Sequence, residues 1–537
     1  MITFALIMKP NLQNIVPLQN ENPVDFANRV GEFYASTVSS TLKKENGQFF
    51  TPLKIARFMG NQIVVDKEFI SILDPGCGLC ILSCALIEHQ VVCSRELKEI
   101  KLAVYETDSE LIPLIELVLQ YLKEWLDLRN IVLSLDIYAK DFILENSLCL
   151  EQCFNLYEAP IAKFDCIVSN PPYFKLSKDD IHVKAAQCII DGQANIYSIF
   201  MAISTHLLKP NGQMIFIVPR SFTSGRYFRQ FRTHLFKNVQ IDFIHLFNSR
   251  KDVFIKDNVL QETLILKCSN TVDKRADAPV SISFSEGLDG LNNPSIKKFK
   301  LGDIVDLKTV DKIIHIPVNI REESIIKLFK FWDGSLKKYN IQISTGPVVA
   351  FRSKDYLLDD LADGCVPLYW LHNVVKMLSD HPIIKNAKCQ YIKVTNESRS
   401  MLLPNKNYVF LRRFSSKDDS SRLIAAPYFG NASIYPFVGV ENKLNYIYRP
   451  KGHLGRTETI GIAALLNSEL FNIYFRTFNG NVNVSATELR EMPLPELEKI
   501  KAIGKKIILM NNFSLENINF VVDSFFNIQI NTDEQNN

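Results

Sequence analysis

No stretch of this chain stays apolar long enough to cross a bilayer, and its first residues, MITFALIMKPNLQNIVP, lack the basic start and small-residue cleavage site of a secretory leader. A cytoplasmic protein is expected. No internal repeat is visible, which sets aside solenoids and propellers. The 11 cysteines are scattered and odd in number, so they make no disulfide framework, and a reducing compartment leaves them as thiols. Charge of one sign is also not in excess: 61 Lys and Arg against 58 Asp and Glu leave +3. The small excess is uneven, about +4 from residue 301 onward and about −1 before it, a bias that permits a polyanionic partner without requiring one.

What is present is close to the composition of an average globular protein. At 47% hydrophobic and 22% charged residues, long disorder and fibrous structure are excluded. With 537 residues the chain exceeds one ordinary core, so two large domains are expected. From residue 70 to about 267, short apolar runs (ISILDPG, LAVYETD, IVLSLDI, FDCIVSN, QMIFIVP, IDFIHLF, TLILKC) alternate with helical stretches. That rhythm predicts an α/β domain with a parallel sheet wrapped by helices. The loop NSRKDVFIKDNVLQE between the last two runs shows no helix, so the final strand is expected to enter antiparallel. From residue 268 to about 300 the chain is polar and rich in turn residues, as at a boundary. The predicted division is an N-terminal helical segment at 1–40, a catalytic domain at 41–285, a mixed α/β domain at 286–525 and a frayed tail at 526–537.

Four strand ends carry candidate chemistry. ILDPGCGLC places Asp74 and then Gly76 and Gly78 between a strand and an apolar helix, where glycine lets the backbone approach a ligand. LAVYETD ends on Glu106, the position from which α/β nucleotide binders grip ribose hydroxyls. YAKDFI sets Asp141 beside Phe142, a carboxylate and a ring suited to adenine and its amino group. VSNPPYF ends a buried strand at Asn170, since Pro171 and Pro172 supply no backbone donors, and follows with Tyr173. As a turn, that stretch needs no ligand. At the carboxyl end of a strand in an open sheet it suits a flat one. Cys77-Gly-Leu-Cys80 reads as a redox or metal motif in other settings, but the chain has no second CxxC and no nearby histidine pair, so no metal is expected.

The ordered set NGQFFTP, DPGCG, YETD, KDF and NPPY, followed by LLKPNGQMIFIVPRSF, resembles the S-adenosylmethionine-dependent N(6)-adenine DNA methyltransferases in the gamma-class motif order. RSFTSGRYFRQFR, NYVFLRRFSSKDDSSRLIAAPYF and NVNVSATELREMPLP are similar to the PstI/BsuBI-like branch of restriction-modification methylases. The resemblance implies a Rossmann-like class I methyltransferase sheet of seven strands, the last antiparallel, followed by a target-recognition domain. It implies a site-specific adenine methyltransferase using S-adenosyl-L-methionine on double-stranded DNA, without a membrane and as a monomer, with a cognate restriction endonuclease encoded separately.

By the same resemblance, Thr51 holds the cofactor's methionine carboxylate with Gln48 and Phe49 as its lid. Asp74, Gly76 and Gly78 flank the methionine part, Glu106 takes the ribose, and Asp141 with Phe142 takes the adenine. Asn170 and the Pro171 carbonyl, braced by Pro172, accept the hydrogens of the target amine. Tyr173 stacks on the flipped base, and Tyr227 or Phe228 supplies its other face. In the second domain FLRRFSSK offers Arg412, Arg413 and Lys417 to DNA. One departure stands out: Leu79 and Cys80 replace a small residue and a third glycine of the family pattern. A side chain at Cys80 is expected to crowd the cofactor, which favours a rival reading as a weakened or silent DNA-binding or assembly subunit. NPPY is also shared with RNA and protein-glutamine methyltransferases. A fused nuclease is not expected, because the chain before GQFFTP is short and no paired-acid and lysine motif is evident.

Overall fold

The run FISILD forms β1 (Phe69–Asp74) and FDCIVS forms β4 (Phe164–Ser169), both buried almost throughout because neighbouring layers cover both faces of the sheet. In the computed structural model, the described residues are 15–37, 50–150, 162–190, 192, 194–247, 262–271, 276–385, 388–415, 421–480 and 483–526. The chain divides into two units, Met1–Val318 and Asn319–Asn537.

The first unit is built on one sheet. With β2 (Glu99–Tyr105), β3 (Val132–Tyr138), β5 (Leu208–Pro219), β6 (Gln240–Phe247), β7 (Thr263–Ser269), β8 (Pro279–Ser285) and β9 (Ser295–Lys300), its order is β3-β2-β1-β4-β5-β7-β6-β8-β9. Strands β1 to β5 run parallel, and β7 lies antiparallel to both β5 and β6. The first seven strands therefore form the class I methyltransferase order with an antiparallel seventh. The sheet continues for two more: β8 pairs parallel with β6, and β9 antiparallel with β8.

The order reverses between β1 and β4, the switch point beside which ligands bind. Asp165 of β4 locks this junction. Its Oδ2 accepts from the Ser71 backbone N–H (2.9 Å) and hydroxyl (2.8 Å) of β1, and its oxygens pair with Lys67 and Lys209, each at 2.7 Å. Burial raises its carboxyl, but the two lysines and Ser71 outweigh burial and hold it at about 2.

Helices cover both faces. One core joins the strands to α1 (Pro23–Thr37), α2 (Leu53–Gly60), α3 (Ile81–Cys93) and α4 (Ile112–Asp127). The other holds α5 (Phe142–Asn146), α7 (Ile196–His206) and α8 (Arg229–Asn238), with the short α6 (Ile181–Ala185) laid against it through the partly buried Val183 and without a fully buried residue. Gly60 lets α2 approach α3, since a Cβ there would stand 2.7 Å from the Ala85 carbonyl oxygen.

Two expected boundaries change. Helix α1 is no separate segment: Val24, Phe26, Ala27 and Val30 belong to the core of β1. The boundary at 285/286 falls between two hydrogen-bonded strands, and the first unit runs on to Val318. The stretch read as a linker contains β9, SIKKFK, whose lysines mark an edge strand rather than a loop. Its Phe299 and, beyond it, Leu301, Ile304, Ile314 and Ile316 are buried in the first unit's core. The loop expected to lack a helix, most of residues 248–262, and the tail after Phe526 lie outside the described residues.

The second unit is mixed α/β, as its interleaved signals suggested. A four-stranded antiparallel sheet contains the strands Gln342–Thr345, Leu444–Tyr448, Tyr408–Arg412 and Ala425–Tyr428, in that order. A five-stranded sheet includes the strands Cys365–Tyr369 and Phe437–Val440, and Val374–Val375 pairs with Leu378–Ser379 in a hairpin. Helices Arg456–Asn467 and Leu497–Met510 pack closely, with Gly461 and Gly504 at the crossing. The aromatic core stacks Phe329 on Tyr474 at 3.7 Å.

Candidate active site

Beyond the carboxyl ends of β1 to β4 lies a cleft of about 480 Å³, a size suited to a small-molecule cofactor. Thr51, Gly76, Gly78, Glu106, Asp141, Phe142, Asn170 and Pro172 all line it, brought from positions up to 121 residues apart in sequence. Asp74 lies beneath it, fully buried, accepting a hydrogen bond from the Ser83 hydroxyl at 2.7 Å. Burial pushes its carboxyl up to about 7, with Ser83 opposing the rise.

The loop after β1 is drawn toward β2 by the Cys77 N–H, which donates to the Tyr105 carbonyl at 3.0 Å. Gly78 adopts φ +52°, a left-handed conformation that calls for glycine, with the Phe50 ring in ordinary contact range of where its Cβ would stand. Glu106 is held as a fixed acceptor: Oε2 takes the Gly78 N–H (3.1 Å), and Oε1 those of Thr107 (2.8 Å) and Asp108 (2.9 Å). Burial raises its carboxyl nonetheless. Asp141 caps α5 by accepting from the Leu144 N–H at 2.9 Å. Phe142 is buried against Phe200 and Tyr105, forming an aromatic wall.

At the end of β4, the Asn170 side-chain N–H donates to the Thr51 hydroxyl at 3.0 Å. The Tyr173 hydroxyl stands 2.5 Å from Asn170 Oδ1 and 2.8 Å from the Ile217 carbonyl, with one proton to share between two acceptors. Burial raises this phenol far above its ordinary value, so it stays neutral.

Some expected residues are placed elsewhere. The Tyr173 ring is buried in the second core, edge-on to Tyr197, and Phe174, 40% exposed, is the aromatic of this motif that reaches the cleft. Pro171 does not line the cleft through its side chain, and neither Tyr227 nor Phe228 lines it. Phe228 stacks on Tyr197 at 5.6 Å, whereas Tyr227 is exposed and leans on Gly192. Gln48, Phe49 and Lys417 lie outside the described residues. In the second unit Arg412 Nε donates to the Val374 carbonyl at 2.6 Å and Arg413 to the Asn442 carbonyl at 3.1 Å.

Cys80 does not crowd the cleft. It is fully buried at the N-cap of α3 with φ +60°, directed into the core beside Cys77 rather than lining the cavity. Its contact with Cys77 and burial both raise its thiol, and burial raises that of Cys77, which removes the thiolate that redox or metal chemistry needs. Among the described residues no group of three or more His, Cys, Asp or Glu side chains could hold a metal.

His182 is the participant the sequence did not disclose. On α6, it lines the cleft and bridges two acids, with Nε2 2.9 Å from Asp141 Oδ2 and Nδ1 2.7 Å from Asp180 Oδ1. Burial lowers its pKa, but Asp141 and Asp180 more than compensate and raise it. The one sequence signal is Asp180 two residues earlier, and pairing with Asp141 depends on the fold.

Comparison with known proteins agrees with this geometry. Residues 116–254 match the family model described as Eco57I restriction-modification methylase. The type II methyltransferase M.BsuBI of Bacillus subtilis is 33% identical over 87% of this chain and 91% of its own length. M.PstI of Providencia stuartii is 30% identical over 88% and 91% respectively. Among solved structures, the DrdV–DNA complex aligns with 91% of this chain and 59% of its own at 14% identity and TM-score 0.47, too distant to bear on function. No described helix is long and apolar enough to cross a membrane. With about a third of its residues shared along nine-tenths of M.BsuBI, the chain belongs to the family of type II restriction-modification methyltransferases.

Proposed function

We propose that this chain methylates the exocyclic amine of adenine in duplex DNA, as the modification component of a restriction-modification system. The observation that carries the reading is the convergence of Asn170 with Glu106, Asp141 and Thr51 on one cleft. S-adenosylmethionine fits what lines it: two carboxylates for ribose and adenine amine, a wall of Tyr105, Phe142 and Phe200 for a flat ring, and glycine backbone beside Asp74. When bound, that group supplies an electrophilic sulfonium methyl.

The chain's own residues then act on the amine. Adenine's amino lone pair is delocalised into the ring, so density must be drawn back onto nitrogen. Asn170 Oδ1 and the Pro171 carbonyl are the two acceptors for its hydrogens. Tyr173 switches its single proton to the Ile217 carbonyl, leaving Asn170 Oδ1 to the substrate, while the amide N–H remains on Thr51. No strong base is needed, because the amine becomes acidic only after attack. A duplex hides this amine, so the base must flip out, with an aromatic face offsetting part of the unstacking cost. Phe174 and the exposed Tyr227 are the rings available for that face, with Tyr173 behind the amide.

The test is Asn170→Ala. If the acceptors act mainly on the transition state, turnover falls by a factor equivalent to roughly 3 kcal/mol while duplex affinity changes little. Equal losses of turnover and DNA affinity would assign Asn170 to ground-state binding instead.

A further inference from the structure

Two separate electrostatic neighbourhoods of the second unit meet at Lys388. Lys385, Lys388 and Arg412 are near enough to disfavour charge on His372, whose Nε2 lies 3.3 Å from the Ile383 carbonyl. Lys388, Arg413 and Lys443 act on Glu441, which is buried and accepts the Lys443 backbone N–H at 2.9 Å. The Arg412 bond to Val374 ties the end of the strand Tyr408–Arg412 to the hairpin Val374–Ser379, and Lys385 and Lys388 are bridged in the loop that follows it, so these segments are neighbours. Their exposed side carries two apolar side chains, Ile384, 91% exposed and adjacent to Lys385 in sequence, and Leu378, 57% exposed.

We propose that this face contacts duplex DNA, with Lys385, Lys388, Arg413 and Lys443 on phosphates and Ile384 against base edges in a groove. Resting on the reading of the chain as a DNA methyltransferase, it extends the recognition surface beyond the FLRRF segment to residues from two other loops. Lysine and arginine supply the phosphate contacts that position a protein on DNA, and an exposed aliphatic side chain suits the thymine methyl group. Two acids come near these cations: Asp380, which precedes His381 in sequence, and Asp359, which interacts with the Cys389 thiol, while Asp418 and Asp419, which follow Arg413 in sequence, lie outside the described residues. Glu441, the acid among the cations, is turned inward.

The experiment compares the full-length protein with K385A/K388A and with K499A/K505A, which removes the same charge from exposed positions on the helix Leu497–Met510. Binding to a short duplex is followed by anisotropy across a salt series. The proposal expects K385A/K388A to bind about 10-fold more weakly and to lose about 2 from the salt slope, with K499A/K505A unchanged. It also expects the His372 imidazole pKa, depressed by burial and by the three cations, to rise when the duplex binds, because phosphate stabilises the charged ring. Identical behaviour of the two double variants, with wild type still methylating DNA, would overturn the face and leave the enzyme reading standing. Wild type that neither binds nor methylates duplex DNA would remove both.

Discussion

Asn170 donates its side-chain N–H to the hydroxyl of Thr51 across 3.0 Å, so the proposed amine acceptor and the residue assigned to the cofactor's carboxylate are held by one bond. Thr51→Val removes that bond while preserving shape, a loss of about 0.5 to 1.5 kcal/mol. Steady-state kinetics should show a raised KM for the methyl donor together with a lowered kcat. Thr51→Ser should restore both. A change in KM alone would mean that Thr51 does not orient Asn170.

Cys80 occupies the left-handed region that glycine favours, yet its side chain fills core space. Cys80→Gly relieves backbone strain and opens a small void, effects of opposite sign and each about 1 kcal/mol. Calorimetry should find cofactor affinity unchanged and the melting temperature little altered. Cys80→Val, β-branched at positive φ, should destabilise by about 2 kcal/mol or more. Tighter cofactor binding in Cys80→Gly would restore the crowding idea that the sequence suggested.

The strand-end motifs were legible because each is local: an acid or amide closing a buried run needs only the run to be recognised. DPGCG, YETD, KDF and NPPY therefore converge as expected, and the seven-strand core follows from their order. Contacts across the sequence were not legible. His182 sits in the polar stretch SKDDIHVKA, and its bond to Asp141, 41 residues away, exists only once β3 and β4 place both near the cleft. Tyr173 is similar, since no local signal says that its hydroxyl turns inward to Ile217. The boundary was misplaced because an edge strand of alternating lysines has the composition of a linker.

His182 should make α6 sensitive to pH. Its folded pKa is raised above the ordinary 6.5, so its stabilisation is complete below about 6.5 and is lost as pH rises through the folded value. Hydrogen exchange at Ile181–Ala185 should accelerate as pH rises above that point, beyond the intrinsic base-catalysed increase. In His182→Gln only the intrinsic trend should remain. The same excess acceleration in the variant would detach the effect from this imidazole.

A cut at residue 285 removes β9 and the buried Leu301, Ile304, Ile314 and Ile316, each worth roughly 1.5 to 3 kcal/mol when buried. A fragment of residues 1–318 should melt cooperatively by circular dichroism, and a fragment of residues 1–285 should not. Matching melts would return the boundary to the position read from composition.

The most direct test of the account is nucleoside mass spectrometry, with methylation-sensitive sequencing, on DNA from a host expressing the protein or its Asn170→Ala variant. The account predicts N6-methyladenine confined to one sequence context with wild type and absent with the variant. Methyl groups on RNA, on protein or on another base, with adenine in the DNA unmodified, would contradict it.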